Sequence, residues 1–253
     1  MDLGLKGKRA IVTGGSKGIG RRIVDLLVSE GCHVGFCARN ESDVDAALAA
    51  LSGGEVTVIG GTADVTDDTA FRAWMTQTAQ ALGGVDILVA NASSLVVGAD
   101  EEAWRTGLEV DILGTVRAVE SALPYLEASE CGSIVAISST AAVNVSGGVR
   151  AYSGVKAALI SYMSGLSTNM AAKGIRANTV SPGAVYFEGG VWERNKTEDP
   201  ERFAAAIKRN PMGRFCTPEE VANGAVFLAS PAASYISGVN LVVDGAATTR
   251  IQY

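Results

Sequence analysis

A single histidine, His33, and four scattered cysteines leave this chain short of the side chains that hold metals or staple folds. Cys32, Cys37, Cys131 and Cys216 form no C-x-x-C pair, so neither a zinc site nor a disulfide framework is expected, and no metal enters the reading. Reduced thiols point to a cytoplasmic protein. No apolar run approaches the roughly 20 residues that cross a bilayer. The opening Met1-Asp2-Leu3-Gly4-Leu5-Lys6 lacks a basic start followed by an apolar stretch. A secretion signal is therefore not expected, and the sequons at Asn91, Asn144 and Asn195 read as chance matches. Long basic runs are also missing, and 21 basic against 27 acidic residues make a net charge of −6. Nucleic acid and anionic membrane surfaces are poor partners for such a chain.

What is present is punctuated regularly. Over 253 residues, 47% hydrophobic and 19% charged, short apolar runs alternate with amphipathic segments. Strands are expected at 9–12, 33–37, 56–59, 86–90, 133–137, 176–180 and 239–243. Helices are expected at 18–30, 43–51, 67–82, 101–126 and 150–172. The strands are continuously apolar rather than alternating, which suits burial on both faces of a parallel sheet. The pattern predicts one α/β domain over 1–253, a doubly wound (Rossmann) seven-stranded parallel sheet with helices on both faces. The stretch 185–214, with Gly189, Gly190, Pro200 and Pro211, reads as irregular and as a substrate lid.

After the first strand comes Thr13-Gly14-Gly15-Ser16-Lys17-Gly18-Ile19-Gly20. Glycine lets a backbone turn sharply and lets a phosphate approach the main chain. The following helix offers free N–H groups and a positive dipole end to a pyrophosphate. A glycine turn alone is weak evidence, but here it joins a strand to a helix, as a dinucleotide site requires. The same residues spell G-x-S-x-G, the nucleophile elbow of hydrolases. That elbow needs a late histidine, whereas His33 opens the second strand.

Further along stand Ser139, then Tyr152-x-x-x-Lys156, with Asp64-Val65, Asn91-Ala92, Pro182-Gly183 and Asp244-Gly245 after successive strands. Each is cheap alone; in order and at the right elements they are not. Over essentially its whole length the chain resembles the short-chain dehydrogenase/reductase family.

The physical case for the chemistry stands beside the resemblance. Tyr152 and Lys156, at i and i+4, share a helix face. A phenol titrates near about 10 in isolation, and a close ammonium favours its phenolate. Tyr152 could then act as acid or base nearer neutral pH. Ser139, ending the fifth strand, could hold the substrate oxygen. The resemblance implies that Lys156 also grips a nicotinamide ribose. It implies further contacts to the cofactor from Gly14, Ser16, Lys17, Gly18, Ile19, Gly20, Arg39, Asn40, Asp64, Val65, Asn91, Ala92, Pro182, Gly183 and Val185. No acid precedes Glu41 after the second strand, where NAD enzymes bind the ribose hydroxyl. Arg39 could pair bidentately with a 2′-phosphate, aided by Lys17, so NADP(H) is the expected cofactor.

Three residues depart from the family pattern. Asp111 stands where an asparagine usually supports a water relay to the lysine, and it joins Ser139, Tyr152 and Lys156 in the candidate catalytic set. As an anion it would stabilise charged Lys156 and raise the working pH, or weaken the relay and slow turnover. Ser93 follows Ala92 where glycine is usual, narrowing the space near the cofactor. Phe187 replaces a threonine that contacts the nicotinamide amide. By family geometry the substrate wall is Ser94, Val96, Val145, Val149, Tyr186 and Trp192, an apolar pocket for a cyclic or aromatic ketone or alcohol. A homotetramer or dimer is implied, built on the long helices after strands four and five and on the last strand, with the tail 250–253 consistent with it. The competing readings are a 3-oxoacyl-carrier-protein reductase and a nucleotide-sensing protein without turnover.

Overall fold

The computed structural model describes residues 2–144 and 148–249. Its centre is a seven-stranded sheet in the order β3-β2-β1-β4-β5-β6-β7, parallel at every pairing. The strands are β1 (Arg9–Thr13), β2 (His33–Ala38), β3 (Val58–Thr62), β4 (Ile87–Ala90), β5 (Ser133–Ile137), β6 (Arg176–Pro182) and β7 (Asn240–Val243). Between them run α1 (Gly18–Ser29), α2 (Glu41–Leu51), α3 (Asp68–Leu82), α4 (Glu101–Gly107), α5 (Gly114–Glu127), α6 (Ala151–Ala171), α7 (Val191–Glu198), α8 (Pro200–Arg209) and α9 (Pro218–Ala229).

The continuous apolar runs are explained by two cores, one on each face. In β1, Ala10 and Val12 enter a layer with Ile23 and Leu27 of α1 and Val221 and Val226 of α9. Ile11 enters the other, with Phe71 and Met75 of α3, Val119 of α5 and Leu159 of α6. The same alternation runs through β4 and β5. Fully burying each such side chain contributes about 1.5–3 kcal/mol. The chain winds outward from β1 to β3, then returns to place β4 on the other side of β1. Where the winding reverses, the carboxyl ends of the strands leave a crevice.

Four expectations are corrected. The third strand lies at 58–62 rather than 56–59, because its pairing with β2 runs Val34↔Val58 to Ala38↔Thr62. The helix expected at 101–126 is broken by a six-residue π-turn, Leu108–Leu113, which carries Asp111. The stretch 185–214 is not irregular: it holds α7 and α8, the latter capped by Asp199, which accepts from the Arg202 N–H, with Pro200 opening it. Finally, α9 has no counterpart among the expected helices. Thr217 and Glu220 form a capping box around it with Pro218 in the first turn, the signal that could have revealed it.

Candidate active site

The glycine turn lies at the crevice. Gly14 and Gly18 take the left-handed backbone, with φ of 68° and 55°. A Cβ on Gly20 would meet the Gly14 carbonyl and the Asn91 amide, so the turn folds only around a bare backbone there. Asn91 braces it from β4. Its side-chain amide donates to the carbonyls of Thr13 (3.1 Å) and Gly14 (3.0 Å), while the Thr13 hydroxyl accepts from the Asn91 and Ala92 N–H groups. Asn91 and Thr13 thus fix the turn at the N-terminus of α1, where free N–H groups and the helix dipole suit a pyrophosphate.

The end of β2 lies close by. Arg39 is exposed and forms no ion pair among the described residues. Asn40 caps α2, accepting from the Asp43 N–H, and Lys17 pairs with Asp43 at 2.9 Å. Lys17 therefore ties the turn to α2, and Arg39 is the uncommitted cation of the two. Asp64, after β3, is engaged with Thr66, which donates to it from both its N–H and its hydroxyl at 2.9 Å. The Val65 side chain is turned into the core against Gly114.

The candidate catalytic residues meet where β5 ends beside α6. Lys156 is buried and donates to the Ile137 carbonyl at 2.9 Å, two residues before Ser139. The Ser138 hydroxyl donates back to the Lys156 carbonyl at 2.9 Å, locking strand to helix. The Ser139 hydroxyl accepts from the Ala141 N–H. The Lys156 ammonium lies 5.8 Å from the centre of the Tyr152 ring. Between Tyr152 and Lys156, Gly154 is bare because the Trp104 indole of α4 packs across it.

Asp111 completes the cluster. Its carboxylate pairs directly with Lys156 at 2.9 Å, with side-chain exposures of 0% and 3%. The Ser93 hydroxyl donates to one oxygen (2.6 Å); the Ser94 hydroxyl (2.8 Å) and N–H (3.0 Å) donate to the other. Burial alone would push the Asp111 carboxyl up, but the Lys156 charge and these hydrogen bonds hold it below the ordinary carboxylate range. Asp111 thus meets the lysine without an intervening group. Ser94, expected on the substrate wall, is instead committed to Asp111, because a buried anion needs donors.

The stretch 185–214 brings together an aromatic cluster with Phe215. Tyr186, Trp192, Phe203 and Phe215 pack at centroid separations of 4.9–6.1 Å, with Arg202 over Trp192. Tyr186, Phe203 and Phe215, with Lys196, Cys216 and Thr217, line a shallow hollow of about 350 Å³. Ser139 and Tyr152 do not line it. Trp192 belongs to this cluster through Phe215. Val185 is buried and bridges Cys216. Gly183 presses against Asp244, whose carboxylate accepts from the Ala246 and Thr248 N–H groups. The Phe187 ring lies on Gly18, so close that a Cβ there would overlap it. Val96 is half-buried against Gly107, and Val149 is exposed. Val145 and the tail 250–253 lie outside the described residues.

Comparison with known proteins gives consistent findings. The family model described as enoyl-(acyl carrier protein) reductase matches residues 14–248. An isoepoxydon dehydrogenase of Penicillium expansum is 37% identical over 257 residues, spanning 100% of this chain and 99% of the relative. A 3-oxoacyl-[acyl-carrier-protein] reductase of Chlamydia pneumoniae is 32% identical over 98% of this chain and 100% of its own length. The structure of L-sorbose reductase from Gluconobacter frateurii, complexed with NADPH and L-sorbose, matches with a TM-score of 0.92 at 30% identity. That match covers 99% of this chain and 100% of the other. Among the described residues no helix is long and apolar enough to cross a membrane.

Proposed function

We propose, from the premise that the chain belongs to the short-chain dehydrogenase/reductase family, that it is an NADPH-dependent oxidoreductase acting on a small ketone or secondary alcohol. The observation that carries this reading is the buried Lys156, held between Asp111 and the end of β5 beside Ser139 and Tyr152. The glycine turn, Asn91, Arg39 and Lys156 would hold the cofactor, which when bound supplies or takes up hydride. Ser139 steadies the substrate oxygen, and Tyr152 delivers a proton to it in reduction and removes one in oxidation. Lys156 holds its ammonium 5.8 Å from the centre of the Tyr152 ring. Residues 185–214 act as the substrate lid, and their aromatic cluster suits a flat or cyclic substrate.

NADP(H) over NAD(H) rests on uncommitted Arg39 and on the missing acid before Glu41. Two solved neighbours are described with bound NADPH. An acyl-carrier substrate is the weaker reading. Arg214 is spent on Glu220 through contacts of 2.6 and 2.8 Å, whereas Lys208 and Arg209 are exposed without an ion pair among the described residues; the net charge of −6 weighs against docking an acidic carrier. A homotetramer belongs to the same proposal, and sedimentation would test it.

A panel of ketones and alcohols with both cofactors, followed by nicotinamide absorbance, tests the function. Tyr152→Phe should lower turnover at least about 10²-fold while NADPH binding stays within about threefold. A near-normal rate would remove Tyr152 as proton donor. Arg39→Asp should move preference towards NADH; an unchanged cofactor ratio refutes its role. Tight NADPH binding with no substrate consumed would favour a sensor.

A further inference from the structure

Ser93 and Asp111 lie 18 positions apart in the chain. In the folded protein they touch: the Ser93 hydroxyl donates to the same Asp111 oxygen that receives the Lys156 ammonium. The other oxygen receives two donors from Ser94. Four donors therefore converge on one buried carboxylate. An amide in its place would turn an N–H towards either Lys156 or the Ser94 N–H, setting donor against donor. A glycine at 93 would remove one of the four and leave the anion less satisfied. Ser93 and Asp111 thus fit each other: neither an amide at 111 nor a glycine at 93 would keep all four donors on a carboxylate.

We propose that Ser93 is a positioning residue: with Ser94 it clamps Asp111, and Asp111 in turn sets where the Lys156 ammonium stands beside Tyr152. The inference rests on the oxidoreductase reading above. It makes the serines and the aspartate one unit that acts through the lysine without touching substrate. Because Lys156 is fixed by Asp111 and Ile137 at once, a small displacement of Asp111 carries the ammonium with it. Misplacing such a group by about 1 Å can cost about 10²-fold in rate.

The test is a double-mutant cycle on the full chain: wild type, Ser93→Gly, Asp111→Asn and the double variant. Turnover of a reactive ketone at saturating NADPH gives kcat and KM, and cofactor-free thermal unfolding gives a readout independent of activity. With Asp111 intact, Ser93→Gly should lower kcat about tenfold with both KM values within about twofold, and lower the unfolding midpoint by about 5 °C. In the Asp111→Asn background the same change should cost less than about twofold and less than about 2 °C. Ser93→Thr, which keeps the hydroxyl, should recover kcat to within about threefold of wild type. Equal losses in both backgrounds, in kcat and in midpoint, would overturn the coupling while leaving the oxidoreductase reading intact. No turnover in any of the proteins, with NADPH still bound, would overturn that reading and this one together.

Discussion

Two regions of the molecule are built from opposite materials. The floor, where β5 meets α6, is made of buried polar groups, and each stands opposite a partner. Lys156 meets Asp111 and Ile137, Asp111 meets Ser93 and Ser94, and Ser138 meets the Lys156 carbonyl. The stretch 185–214 is made of half-buried rings and exposed charge, and its one buried amide, Asn195 Nδ2, has no hydrogen-bond partner among the described residues. A satisfied polar network in a dry interior is rigid, because moving any member leaves a neighbour unpaired. Half-buried aromatic contacts can slide or exchange at small cost. On the proposed function, the difference separates the part of the molecule that would fix a reaction from the part that would admit a substrate.

The sharpest way to break this contrast is to remove a charge from the floor. Lys156→Met leaves Asp111 buried without its counter-ion and should cost about 3–5 kcal/mol of stability by urea unfolding, besides abolishing turnover. A cost near about 1 kcal/mol would mean that the floor is as adaptable as the 185–214 stretch. Acid should act on the same pair. The Asp111 carboxyl is held below its ordinary value of 3.8 in the folded chain, so the unfolded chain takes up its proton first as pH falls. The stability Asp111 contributes is thus fully present above that value and is lost as pH drops through the lower, folded one. Urea midpoints measured from about pH 6 to about pH 3 should show a shallower fall for Asp111→Asn than for wild type.

Effects in the 185–214 stretch should be smaller. Phe187→Thr takes the ring off Gly18 and should tighten NADPH binding up to about tenfold, about 1.4 kcal/mol, in a fluorescence titration. Unchanged affinity would show that the ring clears the turn without penalty. Asn195→Leu replaces an unpartnered buried amide by an apolar group of similar size. It should be neutral or stabilising by about 1 kcal/mol, where the same exchange at a satisfied position would be destabilising.

The contrast also explains what can be read from the chain. Repeated βα units, the glycine turn and the order Ser139, Tyr152, Lys156 are legible because each rests on local geometry: a bare backbone, a helical turn, a strand end. The commitment of Ser94 to Asp111 is not, since it depends on a π-turn that moves Asp111 relative to an unbroken helix, and an apolar-and-polar pattern does not mark such a turn. In 185–214 the glycines and prolines read as breakers. Asp199-Pro200 instead opens α8, since proline is well suited to the first helical position. The aromatic cluster draws Phe215 from beyond that stretch, a tertiary pairing with no periodic signal.

The indole laid over Gly154 turns the protein into its own optical probe. Of the three tryptophans, Trp74 packs on the outer strand at Gly61, Trp192 lies among the aromatic side chains of the 185–214 stretch, and Trp104 packs over Gly154 of α6. A chain retaining Trp104 alone, with phenylalanine at the other two positions, would carry a single emitter within one helical turn of the proposed chemistry. Its emission could be quenched by energy transfer to a reduced nicotinamide and recover as that ring is oxidised, which would let single turnovers be followed without any added label.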